Sequence, residues 1–303
     1  MLTSVKSLLS SIVDYAGLFP PAKLSLQEAM QQYAQYRRSA NAWMLDRFVL
    51  PISRLSEFAA LLPTFSISQS PLSIILTADS QGASQQALKQ QLADLQTIPL
   101  IDSSITALEI PPLSPEDIEK LLPHLPTGIE PFFEIPLTAN LDAYLTVLKG
   151  TGVAAKIRTG GITAAAFPKA IRLAQWILAL AQVRLPFKAT AGLHHALPSI
   201  YPITYKLNSP STQMHGFLNV TILAALAYCH RITLEEALTV LQASDPHLFH
   251  VTPTGLIWNN HSLDLCEIET VRKNFFRSFG SCSFREPIDE LRQLQWLNSD
   301  QES

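Results

Sequence analysis

Eight short apolar runs recur along the chain, and their spacing constrains the fold more than any other feature. They are Ile12–Asp14, Arg47–Ile52, Ser73–Ala78, Thr106–Pro111, Pro131–Pro136, Val153–Arg158, Pro186–Ala191 and Phe275–Gly280. Each is too short for a stable helix and several end in glycine-containing or polar loops, the pattern of a buried strand. Amphipathic stretches such as Ser25–Arg38, Gln85–Leu95 and Ala164–Val183 lie between them. Strand and helix alternating through short loops predicts a parallel sheet. Eight such units predict an α/β fold of the (β/α)8 TIM-barrel type, with residues 1–303 as a single domain. The runner-up, an open doubly wound sheet, would carry a G-x-G-x-x-G turn, and nothing in the chain resembles one.

The period breaks once. About 85 residues separate Ala191 from Phe275, far more than one strand-to-helix connection needs. Residues 193–272 therefore read as an insertion between strands seven and eight. It holds helical stretches at Asn219–His230 and Thr233–Ala243 and a hairpin at Leu248–Trp258 that turns at Pro253-Thr254-Gly255. In the alternative, His215–Val220 is the eighth strand and the remainder a C-terminal extension.

Composition excludes some functions. A net charge of −3 with no run of Lys or Arg argues against a nucleic-acid partner. The longest apolar stretch, near Phe217–Tyr228, falls short of the roughly 20 residues a bilayer span requires, so no membrane partner is expected. The N-terminal MLTSVKSLLSSIV reads as an amphipathic helix rather than a signal peptide. Cys229, Cys266 and Cys282 are far apart and form no C-x-x-C. Neither a disulfide framework nor a zinc ribbon is indicated, and a cytoplasmic location is expected.

Two of the runs carry a lysine in nearly the same frame: VAAKIRTGG around Lys156 and PFKATAGLHH around Lys188. A buried ammonium is costly unless it is paired or gives up its proton. Two on consecutive strands suggest chemistry: only a neutral amine attacks a carbonyl, and a nearby ammonium favours the neutral form of its neighbour. The competing reading is an ion-paired barrel interior, with Lys156 against Glu134. The active site of such a barrel lies at the carboxyl ends of its strands. Polar residues expected there are Asp14, Asp79, Glu109, Glu134, Arg158, Thr159, Gly160, Thr190, Gly192, Ser278, Gly280, Ser281 and Ser283. Asp14, Glu109, Glu134 or a histidine would move protons. The turn FGSCSFREP precedes a helix whose free amides would favour an anion, and Arg158 could grip a carboxylate with two hydrogen bonds. His194, His195 and His215 form a further cluster. With Glu134 they would suit a divalent metal, although they fit no ligand motif. Substrate hydrogen bonding or acid–base work by His194 or His195 is the preferred reading, with no metal or cofactor assigned.

The order AKIRTGG, FKATAGL, FRSFGSCSF resembles the deoxyribose-phosphate aldolase group of class I aldolases, and Asp14 in VDYAGL resembles that family's early aspartate. The resemblance covers short motifs, about a tenth of the chain. It implies that Lys156 forms the imine, that Lys188 lowers its pKa, that Glu109 stands in the proton-relay position, and that Gly192 with Gly280–Ser283 binds an anion. Arg158 departs from the family, which has a small residue there, and Glu109 stands where the family has an aspartate. The expected function is a Schiff-base lyase acting on a small anionic oxo compound without a cofactor. A metal-dependent hydrolase or lyase using the histidines, and a non-catalytic ligand-binding barrel, are the alternatives. Neither the substrate nor the oligomeric state, a homo-oligomer included, follows from the residues.

Overall fold

The computed structural model describes all residues except 66, 68–69, 79–83, 96–104, 231 and 299–303. Asp79 lies outside the described residues. Eight parallel strands close into a barrel. We number them β1 (Val13–Tyr15), β2 (Leu45–Pro51), β3 (Leu72–Ile75), β4 (Ile105–Ile110), β5 (Glu130–Glu134), β6 (Ala154–Arg158), β7 (Phe187–Thr190) and β8 (Phe276–Ser281). Each pairs with its neighbours in sequence, and β1 closes the ring against β8 through Val13↔Phe279 and Asp14↔Gly280. The chain is thus a (β/α)8 barrel. The eighth strand is Phe276–Ser281, while Phe217 begins a helix, so the alternative placing of strand eight at His215–Val220 does not hold.

Alternation along the strands sorts side chains into two cores, because successive residues face opposite sides. Leu108, Ile110, Phe133, Ala155, Ile157 and Ala189 join the large cluster between the strands and the surrounding helices. Ala107, Phe132 and Ala154 form a small separate cluster inside the barrel. Directly above that cluster, at the next inward position of each strand, stand Glu109, Glu134 and Lys156. The usual branched apolar filling of a barrel interior is replaced here by charge.

Helix starts follow local chemistry. Ser25, Thr233 and Asp264 each open a helix with a reciprocal bond to a glutamate three residues on, at Glu28, Glu236 and Glu267.

The long connection between β7 and β8 contains a hairpin (Ser199–Pro202 with Ser211–Met214), helices Phe217–His230 and Leu234–Gln242, and a three-stranded antiparallel sheet (His250–Thr252, Gly255–Trp258, His261–Asp264). Helix Leu265–Asn274 then leads into β8. Residues 217–227 are buried on every side, against helices Ala170–Gln182, Leu234–Gln242 and Leu265–Asn274. That all-round burial explains why this helix is apolar without a polar face. Asn219 ties it down through hydrogen bonds to the carbonyls of Val240 and Ala243.

Candidate active site

The frames around Lys156 and Lys188 become neighbouring strands in direct register, with Lys156 opposite Lys188 and Glu134 opposite Lys156. All three side chains point into the barrel. A line of alternating charge results. Arg47 on β2 lies 3.9 Å from Asp14 Oδ1. Lys188 Nζ bonds Asp14 Oδ2 at 2.5 Å and Glu109 Oε1 at 2.7 Å. Lys156 Nζ bonds Glu109 Oε2 at 2.8 Å and Glu134 Oε2 at 3.0 Å. Arg158 completes the line 3.9 Å from Glu134 Oε1. Two hydroxyls complete the polar shell: Ser278 donates to Asp14 and Ser73 to Glu109. The inward strand positions gather these groups inside the barrel, and closure of the ring pairs them.

Burial raises the stakes of each pair. Lys188 and Asp14 have no exposed side-chain surface. Burial pulls Lys188 toward the neutral amine, but Asp14 and Glu109 outweigh it and hold its pKa above the ordinary lysine value. Burial likewise pushes Glu109 up, yet Lys156 and Lys188 together hold it well below the usual carboxylate range. Glu109 is therefore a fixed anion between two amines.

Above this line opens a cavity of ≈ 260 Å³ at the carboxyl ends of the strands. Glu109, Glu134, Lys156 and Arg158 reach it, whereas Lys188 and Asp14 lie beneath. Thr190, Gly192, Gly280 and His194 also border it. The loop after β1 brings Phe19, Pro20 and Pro21 to its wall, at the top of the barrel. Both amines touch carboxylates, as the ion-paired reading expects, and Lys156 also borders the cavity.

Other expected residues have different surroundings. Thr159 donates to the carbonyl of Ala191, and Gly160 packs on Gly192. They join the β6 and β7 loops rather than bordering the cavity. Gly192 has a positive φ of 68°, and a Cβ there would meet the Phe167 ring at 2.6 Å, so this close crossing requires glycine. Ser281 Oγ donates to the carbonyl of Ser283, and Ser283 Oγ accepts from the amide of Glu286. The Ser281 hydroxyl is thus used within the turn, and Ser283 Oγ serves as an acceptor.

The three histidines take different partners, although the rings of His194 and His195 stay 4.4 Å apart. His194 is buried at the cavity, and burial together with His195 drives its pKa down to about 3, so it is neutral at ordinary pH. His195 pairs with Glu290 at 2.5 Å and stacks on Tyr201. His215 hydrogen-bonds the carbonyl of Pro168. Among the described residues no group of three or more His, Cys, Asp or Glu is arranged to hold a metal. Arg47, Ser73 and the cavity-wall residues Phe167 and Ile203 escape sequence reasoning. Arg47 and Ser73 had a signal, being polar at inward-facing strand positions, whereas Ile203 comes from the inserted hairpin and had none.

No protein family, curated protein or solved structure compared with this chain matches it.

Proposed function

We propose that the protein is a Schiff-base lyase of the class I aldolase type, acting on a small anionic oxo compound. The observation that carries this reading is Lys156: a lysine amine at the floor of a cavity, between two carboxylates, with a second lysine locked behind it. Glu109 is a poor proton acceptor because two amines hold it ionised. Glu134, which borders the cavity, is the better acceptor for the Lys156 proton. The neutral amine adds to the substrate carbonyl, the carbonyl oxygen takes up a proton, and water leaves. The product iminium carries one positive charge, as the ammonium did, so the Glu109–Glu134 pair remains charge-matched. The iminium then accepts the electron pair of an adjacent carbon–carbon bond. A hydroxyl one carbon further loses its proton as an aldehyde departs, and the resulting enamine is reprotonated and hydrolysed. Lys188 serves by fixing Glu109. The resemblance to deoxyribose-phosphate aldolases supports Lys156 as the imine-forming residue; the proton-relay role it implies for Glu109 passes here to Glu134. The free cysteines suit a reducing cytoplasm.

The test is borohydride trapping followed by peptide mass spectrometry. A reduced adduct is expected on Lys156 and is lost in Lys156→Ala. A variant lacking Lys156 that retains full turnover refutes the mechanism and leaves a non-imine or ligand-binding role.

A further inference from the structure

We infer that the cavity takes a 2-oxo acid with an apolar chain rather than a sugar phosphate; the inference rests on the imine reading of Lys156. Lys156 and Arg158 stand two residues apart on β6, so both side chains rise from the same face with Cα atoms about 7 Å apart. A carboxylate bonded directly to the carbon that Lys156 attacks falls within reach of the Arg158 fork. Arg158 is half exposed at the mouth, and its 3.9 Å approach to Glu134 is beyond hydrogen-bonding range. Its donors can turn to a substrate carboxylate.

The opposite wall decides the rest of the molecule. In a ring of eight strands, β2 lies across from β6. The side chains there and beside it are Val49 on β2 and Ile75 on β3, with Phe19 and Pro21 above them and Ile203 from the hairpin. A chain extending from the carboxylate toward this wall meets hydrocarbon side chains. The volume of ≈ 260 Å³ lies below the about 300–1,000 Å³ of drug-sized ligand sites and suits a small acid.

Phosphate fits poorly. Among the described residues, the lysine and arginine side chains bordering the cavity are Lys156, which the imine consumes, and Arg158. The Ser281 hydroxyl is engaged within its turn, donating to the Ser283 carbonyl and accepting from the Ser283 amide. Glu286 stands in the first turn of the following helix, where it already occupies the favourable end of the dipole. Of the side-chain cations, a phosphate dianion would therefore meet one guanidinium, with a carboxylate, Glu134, beside it.

Imine formation balances without a co-reactant: the Lys156 ammonium and the C2 carbonyl give an iminium and water. For a 4-hydroxy-2-oxo acid, breaking C3–C4 passes its electron pair to the iminium and releases an apolar aldehyde.

The test compares 4-methyl-2-oxopentanoate, 4-methyl-2-pentanone and glyceraldehyde 3-phosphate, by borohydride trapping and by calorimetric titration of the unreduced protein. The oxo acid should label Lys156 about tenfold or more faster than the phosphate, and Arg158→Gln should cut the oxo-acid-to-ketone ratio about tenfold. Arg158→Lys, which keeps the charge but loses the fork, should recover part of that ratio. Faster labelling by the phosphate, or a ratio unmoved in Arg158→Gln, overturns the substrate class while leaving the imine intact. Calorimetric binding of the oxo acid without any adduct on Lys156 removes the imine and supports the acid specificity. Absence of oxo-acid binding overturns the inference.

Discussion

Lys156 and Lys188 are register partners on adjacent strands, yet each takes a different oxygen of one carboxylate, Glu109. The two amines therefore differ in environment although their sequence frames match. Lys188 is enclosed by Asp14, Glu109 and Ser278-bonded Asp14 oxygen, under the cavity. Lys156 is the one that reaches open space.

Lys188→Met should destabilise the barrel strongly. It leaves Asp14 and Glu109 short of their buried partner, and breaking one side of such a pair costs about 3–5 kcal/mol. Lys156→Met should cost less, because Glu109 keeps Lys188 and Glu134 lies at the cavity. Urea unfolding at neutral pH reads both. Equal midpoints for Lys188→Met and wild type would contradict the ion-pair geometry.

Acid should expose the Glu109 contribution. Its folded pKa is depressed, so the unfolded chain takes up this proton first. The stabilisation is complete above about pH 4.3 and is lost as pH falls from there toward the folded value. Glu109→Gln should flatten that part of the urea midpoint–pH profile while lowering stability near pH 7. Lys188 has the opposite sign: its raised pKa gives stability that is present below about pH 10.4 and fades as pH rises through the folded value.

His194 should act in a separate window. Its folded pKa of about 3 lies below the unfolded value, so the unfolded chain binds an extra proton as pH drops below about 6.5. Stability should fall by about 1–2 kcal/mol between pH 6.5 and pH 5, at up to about 1.4 kcal/mol per pH unit. His215 is shifted the same way by burial. His194→Gln should remove part of the slope, and adding His215→Gln should remove more. A slope identical in wild type and the double variant would refute the assignment.

Gly192→Ala should be costly for a single methyl group. The positive φ, and the 3.0 Å that an added Cβ would leave to Gly160 Cα, predict a loss of about 1–3 kcal/mol. Thermal unfolding with and without ligand should reveal both lower stability and weaker binding, since Gly192 borders the cavity.

The barrel was legible in the sequence because its cause is local. Apolar runs too short for helices, each followed by an amphipathic stretch, admit few ways of burying their surfaces, and the run Phe275–Gly280, preferred as the eighth strand across the long connection, matches Phe276–Ser281. Asp14, Glu109, Glu134, Lys156 and Lys188 were legible for a related reason: charge inside an apolar strand has to find a partner. The sequence could not say which partner. Glu109 lies 47 residues from Lys156 and 79 from Lys188, and only closure of the ring brings its two oxygens between them. Closure also divided the two equivalent lysine frames into one buried support and one amine at the cavity. It sent His215 to the carbonyl of Pro168 and His195 to Glu290 while leaving His194 at the cavity, and it brought Ile203 from the inserted hairpin to the cavity wall. Strand periodicity determines which way a side chain faces; the curvature and register of the closed sheet decide what it meets.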